Sequence, residues 1–325
     1  MRVFVTGATG FIGMAVVREL IDSGHDVVGM TRSAEGARRL KEAGAIPFEA
    51  RLEDAERLKR GAAAADGVIH LAFIHEFSDA SLSARLGVLA GALTGKAIVP
   101  NFLSTIMRTD GDAIRAMGSA LEGTGGPFII TVGTLGLPLG HLATEADAPD
   151  PASPGGPRSV PAETLAHELA SRGVRTAIVR LPPTVHAAGD RGFIYRLSEI
   201  ARKKGISAYL GDGQNRWPAV HRDDAAKLYR SIIERATPGE TFHGVAEEGI
   251  AFREIAELIG ARAGVPVASM PAGDAAKHFS FLASFVGADN PASSAITRKK
   301  LDWNPDGPSL LADIGDPAYT GIAAT

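Results

Sequence analysis

Apolar residues recur in two alternating rhythms along the first 180 positions. Short continuous runs such as Val3-Phe4-Val5, Val27-Val28, Val68-Ile69 and Phe128-Ile129-Ile130 read as buried strands, and between them the spacing changes to that of amphipathic helices. The rhythm predicts strands at 2–6, 26–31, 45–49, 67–72, 127–132 and 174–180, and helices near 12–23, 34–43, 53–64, 109–122 and 160–172. Strand and helix in strict alternation build a parallel sheet covered by helices on both faces. From 78 to 108, Leu82, Leu86 and Leu89 keep helical spacing, but the later half fits no single element. Residues 147–161 carry Pro149, Pro151, Pro154, Pro157 and Pro161 with Gly155 and Gly156, a loop composition. The expected helix therefore starts near Ser159, with Ser159 as its N-cap and Pro161 in its first turn. Beyond 181 the alternation breaks into shorter elements. The implied division is 1–183 for the sheet domain and 184–325 for a smaller C-terminal cap, with some late elements returning to the sheet.

The first strand runs directly into Thr6-Gly7-Ala8-Thr9-Gly10-Phe11-Ile12-Gly13 and then into a helix. Three glycines at this spacing serve a dinucleotide pyrophosphate: Gly7 allows the tight turn, Gly10 a close backbone approach, and Gly13 close packing of helix on strand. The helix N-terminus adds amides and a partial positive charge. The second strand ends in Thr31-Arg32-Ser33. A carboxylate there would favour NAD through the adenosine ribose, whereas an arginine and two hydroxyls suit a 2′-phosphate, so NADP is expected over NAD. Arg38 and Arg39, on the following helix, could assist, but surface positions are expected for them.

Composition narrows the class further. The chain has 325 residues, 45% of them hydrophobic and 22% charged, enough for a sizeable core, and a net charge of −3 that offers no footprint for nucleic acid. No apolar run is long enough to span a bilayer. The absence of cysteine excludes disulfides and thiolate sites and fits a cytoplasmic enzyme. The nine histidines show no metal-ligand spacing, and no metal is expected.

With these motifs in order, the chain resembles the extended short-chain dehydrogenase/reductases, which include nucleotide-sugar epimerases and dihydroflavonol reductases. The family's T-G-x-x-G-x-x-G is matched by Thr6 to Gly13, and its D-x-V-x-H-L-A strand by Asp66 to Ala72. Thr144-Glu145 with Pro149, Pro151 and Pro154 matches a loop motif. Val220-His221-Arg222-Asp223-Asp224 and Leu301-Asp302-Trp303-Asn304-Pro305 match later ones. The resemblance implies an α/β fold, a Rossmann-type doubly wound parallel sheet with a smaller C-terminal α/β substrate cap. It implies coenzyme contacts at Gly7, Thr9, Gly10, Phe11, Ile12 and Gly13, at Thr31, Arg32 and Ser33, and at Leu71, Ala72 and Phe73. Thr131, Pro182, Thr184 and Val185 complete that set, and a homodimer through a helix pair is implied as well.

The family's chemistry uses a serine, a tyrosine and a lysine four residues after it, and no Tyr-x-x-x-Lys occurs in this chain. Aligning from either side puts Gly155 at the tyrosine; the backward route puts Ser159 at the lysine, and the ending of the Phe128–Thr134 strand puts Gly133 at the serine, as in atypical members of the superfamily. The remaining candidates for holding a substrate oxygen or supplying a proton are Thr134, His75 and His141. Among the cap tyrosines Tyr195 is the best placed to face the pocket, but core packing is the favoured role for it. Phe73, Ile74, Phe77, Leu135, Leu137, Phe193 and Trp217 fall on segments expected to line a cleft for a small apolar ligand, or else in core. Arg216 either grips an anion or stacks on Trp217. Asp223 and Asp224 open a helix, where acids favour the dipole. The leading reading is an NADP-dependent oxidoreductase of atypical type acting on a small apolar carbonyl compound with a non-standard proton donor. A silent NADP-binding sensor is the rival, and a nucleotide-sugar epimerase or dehydratase stands third.

Overall fold

The computed structural model describes residues 1–74 and 98–319. At its centre is β1 (Arg2–Thr6), whose Val3, Phe4 and Val5 have no exposed surface. Such two-sided burial is what a central parallel strand requires. β1 pairs in parallel with β2 (Asp26–Thr31) and with β4 (Gly67–His70). β3 (Ile46–Glu49) adds to β2, and β5 (Pro127–Gly133) to β4, again in parallel. With β6 (Arg175–Leu181) and β10 (Glu240–His243) the sheet has seven strands in the order β10-β6-β5-β4-β1-β2-β3. The order reverses direction at β1, the hallmark of a doubly wound sheet.

Helices α1 (Phe11–Asp22), α2 (Ala34–Glu42), α3 (Ala55–Ala63), α4 (Ile98–Leu121) and α5 (Gly156–Ser171) come between these strands. Two have side-chain caps: Ser33 Oγ accepts from Gly36 N at 3.1 Å and Asp54 Oδ1 from Arg57 N at 3.1 Å. Later elements are β7 (Thr184–His186), α6 (Phe193–Lys204), β8 (Ser207–Leu210), β9 (Arg216–His221), α7 (Arg222–Arg235), β11 (Glu247–Ala251), α8 (Phe252–Ala263) and β12 (Val267–Met270). β11, β9 and β7 form a three-stranded sheet, and β12 pairs with β8. Among the described residues no helix is long and apolar enough to cross a membrane.

Two helix boundaries differ from expectation. α4 begins at Ile98, well before 109, because the stretch whose pattern fitted no single element is helical. α5 begins at Gly156 rather than near Ser159, which is buried on the helix instead of capping it. Its first turn closes on the Gly155 carbonyl, which accepts from Arg158 N at 3.1 Å and Ser159 N at 3.0 Å. Pro157 needs no amide partner in that turn, so its usual cost does not arise there. Pro161 then lies inside the helix rather than in its first turn.

The chain divides into two compact units: residues 1–131, 161–178 and 229–240 form one, and 132–160, 179–228 and 241–325 the other. The second unit has an aromatic core of its own. Trp217, with no exposed surface, meets Phe193 edge-on at 5.5 Å and Phe252 at 4.9 Å. Trp217 and Leu137, for which the sequence leaves cleft lining and core packing both open, are fully buried core residues. Both roles require apolar side chains, so the pattern alone does not separate them.

Candidate functional site

In the first unit the glycine turn has the geometry its sequence demands. Gly7 sits at φ +67°, and a β-carbon there would come within 2.8 Å of Ala72 N. One on Gly13 would overlap the Gly7 carbonyl. Gly10 N donates to that carbonyl at 2.9 Å, and Gly10 itself is the N-cap of α1 with no side-chain cap. An uncapped helix start facing a turn that only glycine can make is a cradle for an anionic diphosphate. Thr9, Phe11 and Ile12 are half-buried around it. These residues fit a dinucleotide coenzyme.

At the end of β2 both hydroxyls expected near a 2′-phosphate are already engaged locally. Thr31 Oγ1 donates to Ser33 O at 3.3 Å, and Ser33 Oγ caps α2. Arg32 is exposed. Arg39 is exposed at the helix surface, as expected, and from there its Nη1 donates to Thr9 O at 3.4 Å. A second guanidinium therefore stands against the glycine turn, whereas Arg38 pairs with Glu42 along the helix. After β4, Leu71 N and Ala72 N each donate to Thr6 Oγ1 at 3.2 Å, and Phe73 is half-buried. His75 and Phe77 lie outside the described residues. Thr131 also belongs to this unit and is buried, its hydroxyl 2.8 Å from that of Tyr229, itself fully buried on α7.

The second unit contains the positions aligned with the family's catalytic groups. Gly133 is open: a β-carbon there would meet nothing nearer than Leu181 O at 3.7 Å. Gly155 is closed: its β-carbon would lie 2.7 Å from Gly136 N and 2.8 Å from Leu135 C, and Gly155 N donates to Leu135 O at 2.8 Å. Gly136 in turn abuts Ser159, whose side chain would overlap any β-carbon at 136. The main chain of residues 135–136 thus fills the space a tyrosine side chain at 155 would need. Thr134, fully buried, donates through Oγ1 to Asn290 Oδ1 at 2.7 Å, and Asn290 Nδ2 returns a bond to Thr134 O at 2.9 Å. His141 is exposed in the following loop. Pro182 is buried, Val185 half-buried, and the Thr184 hydroxyl donates to Pro218 O.

Asp289, Thr297, His243 and Asn290, which sequence reasoning did not single out, help to organise this unit. Asp289 takes Arg216 in a two-pronged ion pair, Nε to Oδ1 at 3.0 Å and Nη2 to Oδ2 at 2.9 Å, which pulls the aspartate below the usual carboxylate range. Arg216 is therefore engaged by an internal carboxylate. Glu145 Oε1 accepts from both Thr297 N at 2.7 Å and Thr297 Oγ1 at 2.6 Å. His243 Nδ1 bonds to Ser293 O at 2.7 Å, while Arg180 Nη1 lies 3.3 Å from Nε2. The guanidinium has only hydrogens to give, so Nε2 is the acceptor and the ring proton is on Nδ1. Burial drives the His243 pKa down to about 4. No local pattern announces Asn290, which is 156 residues from Thr134 in sequence. Tyr195 is half-buried on α6. Asp224 is buried in the first turn of α7 and accepts from Gly307 N at 2.8 Å, a structural role. Among the described residues no group of histidines and carboxylates is arranged to hold a metal.

A glycine cradle at the first βα turn of a doubly wound sheet defines a dinucleotide-binding α/β protein of the short-chain dehydrogenase/reductase build. Residues 3–99 match the NAD dependent epimerase/dehydratase family. Full-length relatives are C2A9.02 of Schizosaccharomyces pombe, 44% identical over 98% of this chain and 100% of its own length, and YLL056C of Saccharomyces cerevisiae, 43% identical over 97% and 98%. The chain belongs to this family of NAD(P)-dependent oxidoreductases. A 2-alkyl-3-oxoalkanoate reductase of Stenotrophomonas maltophilia is 27% identical over 82% of this chain and 77% of its own. The UDP-glucose 4-epimerase of Thermotoga maritima shares the fold, with a TM-score of 0.71 at 19% identity over 99% of this chain and 97% of that one.

Proposed function

We propose that the protein is an NADP-dependent oxidoreductase acting on a small, largely apolar carbonyl compound, with a proton donor other than the family's tyrosine. Bound coenzyme would supply or accept the hydride. The Gly7–Gly13 turn would hold its diphosphate, with Arg32 and Arg39 meeting the 2′-phosphate. The observation that carries the reading is the Arg39 contact with Thr9 O, which sets a cation beside the turn in a chain with no acidic residue at the end of β2. The carbonyl class is supported by two relatives. One is the 3-oxoalkanoate reductase, and the other, from Stigmatella aurantiaca, is a farnesyl-quinoline-oxide ketoreductase 26% identical over 74% of this chain. An epimerase or dehydratase is disfavoured, since residues 135–136 occupy the room for the phenol those reactions use.

Without that phenol, catalysis rests on holding the substrate carbon against the coenzyme, which by itself supplies a large part of a rate enhancement. Titration of NADPH and NADH into the protein, followed by NADPH absorbance over a panel of ketones that includes 3-oxo acids and their esters, tests the reading. The expected result is tighter binding of NADPH and its oxidation by at least one ketone. Binding without turnover would favour a sensor, the reading supported by the glycines at 133 and 155.

A further inference from the structure

We propose that Asp110, on α4, is a positioning residue for the coenzyme turn, acting through His70 and Thr6. The inference rests on the reading of that turn as a dinucleotide site. All three side chains are buried: Thr6 and His70 have no exposed surface, and Asp110 is 3% exposed. Thr6 and His70 are register partners on β1 and β4, so their side chains stand together at the ends of two central strands.

The hydrogen bonds have one consistent direction. Thr6 Oγ1 accepts from Leu71 N and from Ala72 N, each at 3.2 Å, which uses both of its lone pairs. Its own hydrogen therefore goes to His70 Nδ1, 2.8 Å away. His70 must then carry its ring hydrogen on Nε2, which points to Asp110 Oδ1 at 3.2 Å. The carboxylate selects the tautomer, and the tautomer selects the direction of the Thr6 hydroxyl. That hydroxyl fixes the backbone of Leu71 and Ala72, the segment lying so close to Gly7 that a β-carbon on Gly7 would come within 3.0 Å of Leu71 C. Gly7 opens the diphosphate turn, so a buried acid on a helix remote in sequence sets the wall against which the turn is formed.

Removing the acceptor leaves His70 Nε2–H without a partner. Moving the hydrogen to Nδ1 relieves this, but Nδ1–H then competes with the two amides for Thr6 Oγ1. The result is a loosened 71–72 segment and a turn less well shaped for phosphate.

The test compares the parent protein with Asp110→Leu, which removes the acceptor at similar volume, and Asp110→Asn, which keeps an Oδ1. The readouts are NADPH affinity by titration and amide exchange of Leu71 and Ala72 in coenzyme-free protein. In Asp110→Leu the expected outcome is a Kd raised roughly tenfold, the size of one buried hydrogen bond, with faster exchange at the two amides. In Asp110→Asn both are expected to stay within about twofold of the parent. Parent-like affinity and exchange in Asp110→Leu would overturn the inference, as would an asparagine variant as impaired as the leucine one. Should Asp110→Leu fail to fold, Thr6→Val reads the other end of the chain of bonds with the same expectations and the same overturning result. A parent protein that binds neither NADPH nor NADH would instead remove the coenzyme reading itself.

Discussion

Gly155 and Gly136 meet main chain to main chain: a β-carbon on Gly155 would stand 2.7 Å from Gly136 N, closer than real side chains approach backbone. Gly155 is the position that the resemblance aligns with the family's tyrosine, and the main chain leaves no room for a side chain there. That space is occupied by the turn that follows β5. Gly133, aligned with the family's serine, has no such neighbour.

The first prediction follows from that asymmetry. Gly133→Ser is expected to fold with a stability change inside about 1 kcal/mol, since its new atoms meet only ordinary contacts. Gly155→Tyr, alone or with Ser159→Lys, is expected to lose about 3 kcal/mol or more, or to fail to fold, because overpacking against backbone is relieved only by moving it. Denaturant melts of the variants decide the matter. A stable Gly155→Tyr/Ser159→Lys protein would show that residues 135–136 yield.

Much of the first unit was legible because its determinants are local. Val3-Phe4-Val5 can hardly be anything but a buried strand, and Gly7, Gly10 and Gly13 act within one turn. The start of α5 is not legible in the sequence because Gly156 and Pro157 are poor helix residues by propensity. Tertiary contact overrides propensity here, with Gly155 N bound to Leu135 O and the helix closing behind it. The partner of Thr134 was not legible at all. Asn290 is brought to it by the segment that also delivers Asp289 to Arg216 and Ser293 to His243, and none of those pairings leaves a periodic trace in the sequence.

The reciprocal pair of Thr134 and Asn290 yields a second prediction. Asn290→Ala removes two hydrogen bonds and strands the Thr134 carbonyl in a buried site, for a loss of about 2–4 kcal/mol. Thr134→Val removes only one of the two. The double variant is expected to be more stable than the sum of the single losses implies, since the contact is lost once and not twice. Strict additivity in urea melts would refute a shared interaction.

Arg32 and Arg39 carry a third. If both meet a 2′-phosphate, replacing either with glutamine should raise the NADPH Kd about tenfold and leave NADH within about twofold. Arg39→Lys is expected to recover only part of the loss, because a lysine presents a point charge in place of a planar fork. Equal losses for both coenzymes would assign Arg39 to bracing the Thr9 carbonyl alone.

The last prediction concerns acid. His243 has both ring nitrogens engaged in neutral form, donating to Ser293 O and accepting from Arg180, and burial sets its folded pKa at about 4 against an ordinary value of 6.5. Between those two values the unfolded chain binds a proton that the folded chain refuses. By linkage, stability then rises with pH across this window, or equivalently falls on acidification from about 6.5 to 4, with a slope of up to about 1.4 kcal/mol per pH unit from this group. Below the folded pKa both states are protonated and the loss stops growing. His243→Asn keeps a donor and an acceptor but does not titrate. It is expected to lower stability at pH 7, through imperfect hydrogen bonds, and to flatten the pH dependence between 6.5 and 4. Urea midpoints at pH 7, 6, 5 and 4.5 for the two proteins give the slopes directly. Parallel curves would mean that the acid sensitivity arises elsewhere, the first alternative being His186, which is also buried and whose pKa is lowered by desolvation.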